Sequence, residues 1–247
     1  MKTLVAIPVF NEAKYLPDVL KQVRRRADHV LVVDDGSTDA TQDILARQSG
    51  IHVIRHPENR GYGQSLIDAF AFASAEGFDW VITIDCDEQH EPERIPDFLV
   101  RIEQDDADII SGSRYLMTMP GSTDAPDDRR RINQTITRLL NDRLGLTLTD
   151  SFCGFKAHRV SAMDRLCLTV PGYAFPLQFW VQAWRAGLRI SEMAVALIYN
   201  DPTRHFGGRL DDPESRLTHY LEVFEREMAR TRKSCGWDAV KCCGAST

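Results

Sequence analysis

Five short apolar segments, each followed by a stretch with helical periodicity, constrain the fold of the first 115 residues. Runs rich in valine and isoleucine predict strands at Thr3–Pro8, His29–Val33, His52–His56, Trp80–Ile84 and Ala107–Ser111. Helices are predicted between them, at Tyr15–Arg26, Asp39–Gln48, Gln64–Ala75 and Pro92–Gln104. Near-continuous apolar strands that alternate with helices predict an α/β fold, with a mostly parallel, Rossmann-like sheet and helices on both faces.

The second half of the chain has a less regular pattern. It predicts a basic helix at Asp127–Leu144, a turn and short strand within Thr149–Arg159, an apolar helix at Pro176–Ala186, an edge strand at Arg189–Tyr199 and a helix at Glu214–Arg232. Because there is no internal repeat or low-complexity linker, we expect one domain over residues 1–233, with halves at 1–115 and 116–233. A C-terminal tail is expected at 234–247.

Charge and composition exclude several classes of function. The formal net charge is −6, so we expect no nucleic-acid partner. Six cysteines in 247 residues and an N-terminus unlike a signal peptide predict a cytoplasmic protein. No apolar run approaches the roughly 20 residues of a membrane span, so membrane contact would be peripheral. The segment Gly172–Trp184 could supply that contact, although core packing of an amphipathic helix is the favoured interpretation.

An acidic stretch, Asp85-Cys86-Asp87-Glu88, directly follows the fourth predicted strand. Parallel sheets bind ligands at the carboxyl ends of their strands. Two carboxylates one residue apart there predict a site for a hard divalent cation, Mg²⁺ or Mn²⁺, to which Gln89 could add an amide oxygen. Cys86 is expected to point into the protein as a small apolar side chain. The alternative is an acidic turn that caps the following helix.

Polar residues also follow the first two strands, at Pro8, Asn11 and Glu12 and at Asp34-Asp35-Gly36-Ser37. Carboxylates at this edge can accept hydrogen bonds from ribose hydroxyls or from a base, and Gly36 permits a tight turn. The alternative is that these aspartates only end the strand and begin the next helix. Farther along, Gly61-Tyr62-Gly63 is not a dinucleotide fingerprint, because Leu66 occupies the third glycine position.

Arginines are concentrated in the second half of this acidic chain. Arg114 directly follows the fifth strand and is the one favoured as an anion-binding residue, whereas most of the others fit a solvated helix face. The histidines His90 and His205 are interpreted as structural. No G-x-S-x-G hydrolase motif and no P-loop is present.

Taken together, these residues resemble family 2 glycosyltransferases of the GT-A fold, and most of all the dolichyl- or polyprenyl-phosphate sugar synthase branch. The resemblance covers about the first 200 residues, and its motifs occur in the order typical of the family. They are IPVFNE (Ile7–Glu12), VVDDGSTD (Val32–Asp39), NRGYGQSL (Asn59–Leu66), TIDCDEQHEPERIP (Thr83–Pro96), SGSRY (Ser111–Tyr115) and DSFCGFKAHR (Asp150–Arg159).

The resemblance implies a role for each matching position. Pro8, Asn11 and Glu12 resemble the first nucleotide-contacting loop, and Asp35, beside Gly36, resembles the residue that contacts the nucleoside. Asp85, Asp87 and Gln89 match a metal-binding DxDxQ motif, and Arg114 matches a phosphate-contacting arginine; Asp87 and Arg114 are thus implied in catalysis. Arg131 and Arg204 fall near further phosphate-holding positions. The first half would bind the nucleotide sugar and the second half the acceptor.

The implied reaction is an inverting, metal-dependent transfer of a sugar from a GDP- or UDP-sugar to an acceptor. A polyprenyl or dolichyl phosphate needs no strong general base, because its oxygen is already ionised. A sugar hydroxyl or another small acceptor would need a carboxylate base, for which Asp150 is the candidate. Two rivals remain: a sugar-nucleotide nucleotidyltransferase, and a non-catalytic nucleotide-sugar-binding module.

Overall fold

The computed structural model describes residues 1–199 and 207–230. Its strands are β1 (Thr3–Val9), β2 (Val30–Asp34), β3 (His52–Arg55), β4 (Trp80–Thr83), β5 (Ile109–Ser113), β6 (Lys156–Arg159) and β7 (Ile190–Ala194). Its α-helices are α1 (Leu16–Val23), α2 (Thr41–Ala46), α3 (Tyr62–Ala75), α4 (Ile95–Glu103), α5 (Asp127–Leu144), α6 (Val160–Met163), α7 (Phe175–Arg185) and α8 (Pro213–Ala229).

The seven strands form one sheet in the order β3-β2-β1-β4-β6-β5-β7. All neighbouring pairs are parallel except those of β6, which runs antiparallel between β4 and β5. The prediction of a mostly parallel sheet is therefore confirmed, and the short strand predicted within Thr149–Arg159 is the one that breaks the parallel order. The predicted edge strand is shorter than expected, at Ile190–Ala194, but it lies at the edge of the sheet.

Alternating side chains of β1 divide the core into two layers. Leu4 and Ala6 pack on one face of the sheet, whereas Val5 and Ile7 pack on the other. The first face also buries apolar residues of α3, α5, α7 and α8, and the second buries those of α1 and α4. Helices thus cover both faces, as near-continuous apolar strands require.

Two helices of the second half are ordered by their apolar faces. Helix α5 buries Ile132, Ile136, Leu140 and Leu144, which recur every four residues and form one stripe toward the core. Helix α7 is buried on most sides, and its Trp180 is fully inaccessible. The interpretation of Gly172–Trp184 as core packing is confirmed for this helix.

In the described part of the chain, no helix is both long enough and apolar enough to cross a membrane. The predicted division into halves at 1–115 and 116–233 stays a prediction, and the tail at 234–247 lies outside the described residues.

Candidate active site

A cavity of about 410 Å³ opens at the edge of the sheet where β1, β2 and β4 end. The first half of the chain lines it mainly with residues at or after the ends of those strands: Pro8, Glu12, Asp35, Asp85, Asp87 and Gln89. The second half adds arginines and aromatic side chains: Arg114, Tyr115, Arg129, Phe152, Tyr173, Tyr199, Arg216 and Tyr220. The predicted convergence of polar residues on one edge of the sheet is therefore observed.

Asp85 is held in place by Tyr62 and by His90, which was interpreted from the sequence as a structural histidine. Its Oδ1 accepts a hydrogen bond from the Tyr62 hydroxyl at 3.0 Å, and its Oδ2 lies 3.6 Å from His90 Nε2. Burial raises the pKa of Asp85, but the charge of His90 and the hydrogen bond from Tyr62 outweigh it, and the pKa lies below its ordinary value. Gly154 lies so close to this carboxylate that a Cβ there would overlap it.

Asp87 and Gln89 lie in the same wall as Asp85. The Asp87 carboxylate accepts a hydrogen bond from the Gln89 backbone N–H at 3.1 Å. Cys86, between the two aspartates, is 2% exposed and packs in the core, as predicted. Two carboxylates and an amide suit a hard cation that completes its shell with water and substrate phosphate. Across residues 1–199 and 207–230, no three His, Cys, Asp or Glu side chains form a preformed metal cluster.

Asp35 reaches the cavity from the end of β2 and is held by a dense set of donors. Its Oδ1 lies 2.6 Å from His56 Nδ1 and accepts the Arg60 backbone N–H at 2.8 Å. Its Oδ2 accepts the Gly61 backbone N–H at 2.8 Å. His56 Nε2 in turn lies 2.8 Å from Asp68 Oδ2. The buried imidazole therefore stands between two carboxylates.

Two predicted contact residues, Asn11 and Gly36, do not line the cavity. The Asn11 side chain accepts the Thr38 backbone N–H at 2.7 Å, so it joins the loops after β1 and β2. Gly36 has a φ of 72°, and a Cβ there would overlap the backbone of Glu58. Both residues shape the loops at this edge of the sheet without lining the cavity, and only glycine fits at position 36 without strain.

Arg114 and Asp150 form an ion pair beside the cavity. The guanidinium donates to both carboxylate oxygens, at 2.6 and 3.0 Å, and the Arg114 backbone N–H donates at 3.1 Å. Asn133 and the Phe152 backbone N–H also donate to Asp150, which is fully buried. Burial raises the pKa of Asp150, but Arg114 and Asn133 outweigh it and hold the pKa well below its usual range. A carboxylate bound in this way is a poor proton acceptor.

The α5 arginine that lines the cavity is not the one that the sequence predicted. Arg129 lines the cavity, whereas the side chain of Arg131 is exposed and lies outside it. The reason is the phase of the helix: Arg129, Ile132 and Ile136 share one face, and Arg131 lies two residues, about 200°, around from Arg129. Arg204 lies outside the described residues, as does His205.

Several functional candidates were missed by sequence reasoning. Arg216 reaches the cavity from α8, where its guanidinium bonds Asp128 Oδ2 at 2.6 Å. Tyr62, which was interpreted only as part of a loop, contacts Asp85 and stacks on Tyr173 with 5.9 Å between ring centres. The one available sequence signal was the pair of glycines that flank Tyr62, because both abut the backbone of residues 170–172.

The residues 4–167 match the model of glycosyl transferase family 2, and the chain belongs to that family. It is 31% identical to an undecaprenyl-phosphate mannosyltransferase of Micrococcus luteus, over 94% of this chain and 99% of the relative. It is also 29% identical to a polyprenol monophosphomannose synthase of Mycolicibacterium smegmatis, over 78% of this chain and 76% of the relative.

Solved structures of a glycosyltransferase have the same fold as this chain. Glucosyl-3-phosphoglycerate synthase of Mycobacterium tuberculosis, in complex with Mn²⁺, UDP and phosphoglyceric acid, aligns with a TM-score of 0.69. The alignment covers 93% of this chain and 79% of that one, at 20% identity. The same enzyme in complex with Mg²⁺ and UDP aligns with a TM-score of 0.68. The fold is of the GT-A type, and the protein is a glycosyltransferase of the branch to which the resemblance pointed.

Proposed function

We propose that this protein transfers a sugar from a nucleotide diphosphate sugar to a polyprenyl phosphate, with inversion at the anomeric carbon. One observation carries the proposal: a single cavity joins the Asp85, Asp87 and Gln89 wall to the arginines and aromatic rings of the second half. The first wall suits a cation and a diphosphate, and the second suits a phosphate attached to an apolar chain. The names of the Micrococcus and Mycolicibacterium relatives support that acceptor.

Asp85, Asp87 and Gln89 would hold Mg²⁺ or Mn²⁺. Such an ion, when bound, neutralises charge on a diphosphate leaving group. Tyr62 and His90 fix the Asp85 carboxylate, and Gly154 leaves the space that it occupies. Pro8, Glu12 and Asp35 lie at the end of the cavity that we assign to the nucleoside.

Arg114, Arg129 and Arg216 would bind the acceptor phosphate and orient its oxygen toward the sugar. A phosphate oxygen is ionised at neutral pH, so the reaction needs no strong general base. Asp150 is then a positioning residue that fixes Arg114, since its carboxylate is buried and already accepts several hydrogen bonds. The membrane-linked acceptor would bring the protein to the cytoplasmic membrane surface as a peripheral protein.

A small phosphorylated acceptor is the second candidate. The glucosyl-3-phosphoglycerate synthase structures contain phosphoglyceric acid, and the arginines of this cavity suit any phosphate of that size. The exposed aromatic ring of Tyr173 in the cavity wall favours the lipid acceptor, because a small polar acid gains little from it.

Thermal unfolding with UDP, GDP and CDP, each with and without Mn²⁺, tests the donor half of the proposal. We expect one nucleoside diphosphate to raise Tm in a metal-dependent way, because a ligand that binds only the folded state stabilises it. Asp87→Asn should remove the metal dependence without changing Tm of the ligand-free protein by more than a few degrees. A nucleotide that stabilises both proteins equally with and without Mn²⁺ contradicts the metal assignment.

A further inference from the structure

His56 is a buried polar residue that the reaction as proposed above does not use. Only 4% of the residue is exposed, yet both ring nitrogens face carboxylate oxygens, Asp35 Oδ1 at 2.6 Å and Asp68 Oδ2 at 2.8 Å. Ionised carboxylates only accept hydrogen bonds, so both nitrogens can be satisfied at once only when both donate. The His56 ring is therefore clamped between the carboxylates of Asp35 and Asp68.

Asp68 is itself fixed from other directions. Its Oδ1 accepts a hydrogen bond from Gln64 Nε2 at 2.9 Å, one turn away on α3. The Arg60 guanidinium approaches Asp68 Oδ2 at 3.4 Å. Because Asp68 is held in this way, the imidazole cannot swing away from Asp35 without also losing its contact with Asp68.

The clamp determines how much hydrogen-bonding capacity Asp35 has left. An ionised carboxylate has about four acceptor positions, two on each oxygen. Oδ1 uses both of its positions, on His56 and on the Arg60 backbone N–H, and Oδ2 uses one on the Gly61 backbone N–H. One position remains, on Oδ2, and Asp35 lines the cavity.

We propose that His56, held by Asp68, is a positioning residue that restricts Asp35 to one acceptor position and thereby selects a uracil-type base in the donor nucleotide. This inference rests on the proposed function, because it assigns the Asp35 end of the cavity to the nucleoside. Uracil offers one ring N–H between two carbonyls, which matches a single acceptor. Guanine offers a ring N–H and an amino group side by side, which match a carboxylate with both oxygens available. Asn59, in the same lining, carries an amide N–H suited to a uracil carbonyl.

Binding of UDP, GDP and inosine diphosphate to the wild-type protein, measured by calorimetry with Mn²⁺ present, tests the inference without any substitution. Hypoxanthine keeps the ring N–H of guanine but lacks its amino group. We expect UDP to bind about tenfold more tightly than GDP, since an unpaired polar group in a site weakens binding by about that factor. Inosine diphosphate should bind no more weakly than GDP. GDP binding as tightly as UDP, or more tightly than inosine diphosphate, would overturn the inference.

A variant pair then tests the role of His56 itself. His56→Phe keeps a ring but removes both donors, so Oδ1 of Asp35 regains an acceptor position and the ratio of UDP to GDP affinity should fall toward one. His52→Phe, at the exposed start of β3, is the matched control and should keep the wild-type ratio. A merely structural role for His56 would weaken both nucleotides together and leave the ratio unchanged, which would refute the clamp.

Failure of the inference and failure of the proposed function give different results. If the wild-type protein binds none of the three nucleotides, the proposed function is wrong and the inference falls with it. If it binds GDP best, transfer from a nucleotide sugar stands and only the role given to His56 and Asp35 is lost. If His56→Phe does not fold, the binding series with the wild-type protein alone still tests the preference for a uracil-type base.

Discussion

Arg114 and Asp150 are joined by a bidentate ion pair, with Nε–Oδ2 and Nη2–Oδ1 distances of 2.6 and 3.0 Å. The carboxylate is completely buried, whereas the guanidinium lines the cavity. Burial lowers the pKa of Arg114, but the charge and hydrogen bonds of Asp150 outweigh it and raise that pKa well above its ordinary value. Arg114 therefore stays protonated beside the cavity, where we expect an acceptor phosphate, and the ionised Asp150 behind it fixes the orientation of the guanidinium.

Asp150→Asn should lower the free energy of unfolding by about 3 kcal/mol, because it leaves a largely buried guanidinium without its counter-charge. Transfer should fall as well, since Arg114 loses its orientation. Chemical denaturation and steady-state kinetics measure the two effects. Asp142→Asn, on the exposed face of α5, is the control and should leave both unchanged.

A double variant tests whether Arg114 and Asp150 stabilise the folded protein as a charge pair. Arg114→Gln combined with Asp150→Asn should be more stable than the sum of the single losses predicts, because no charge is left unpaired. Since the pKa of Asp150 is lowered on folding, its stabilisation is complete above about pH 5 and is lost progressively as pH falls further. Stabilisation by the ion pair would be contradicted if the losses of unfolding free energy in the two single variants added up in the double variant. It would also be contradicted if the difference in unfolding free energy between wild type and Asp150→Asn changed between pH 5 and 8.

Gly154→Ala should damage the cation site selectively. A Cβ at this position overlaps the Asp85 carboxylate, so the carboxylate must move away from its bond to Tyr62. We expect transfer to fall at least about tenfold, through misplacement of a catalytic group. Gly172→Ala is the control, because no atom lies within 4 Å of its Cβ position. Equal activity in the two variants would show that Asp85 tolerates displacement.

Acid should destabilise the protein through His158. Burial, and next the charge of Lys156, lower the pKa of His158 to about 3, whereas an unfolded histidine has a pKa of about 6.5. Between these values the unfolded chain binds the extra proton. The free energy of unfolding should therefore fall as pH drops below about 6.5, by up to about 1.4 kcal/mol per pH unit.

The contribution of His158 can be isolated by substitution. His158→Gln removes the titrating group, so the slope of unfolding free energy against pH between 6.5 and 4 should be smaller than in the wild type. His52→Gln, at an exposed position, should retain the wild-type slope. Identical slopes in all three proteins would mean that His158 does not enter the folded core uncharged.

The sequence predicted well which residues of the first half of the chain lie together at the cavity. Pro8 lies near the end of an apolar strand, Asp35 and Asp85 each follow one, and parallel strands bring their carboxyl ends to one edge of the sheet. The local sequence pattern was enough to predict this edge, because the end of each apolar run shows where its strand ends. The metal-binding and nucleoside-contacting roles given to these residues stay predictions.

The second half could not be predicted in the same way, because long-range packing decides it. The insertion of β6 between β4 and β5 depends on pairings across more than 70 residues, such as Val81 with His158. Three consecutive arginines follow the two aspartates at the start of α5, and only the helix phase distinguishes Arg129 from Arg131. Arg216 reaches the cavity because α8 packs on α5 and α7. No motif in the sequence predicts this packing.

The transfer reaction itself is the most direct test of the central claim. The wild-type protein is incubated with labelled UDP- and GDP-sugars, Mg²⁺ and a polyprenyl phosphate, and the label is followed into an organic phase, with phosphoglyceric acid as the competing acceptor. We expect an organic-soluble sugar phosphate whose anomeric configuration is inverted relative to the donor, and none with Asp87→Asn. Sugar that appears only on the water-soluble acceptor, or a lipid product of retained configuration, would contradict the claim.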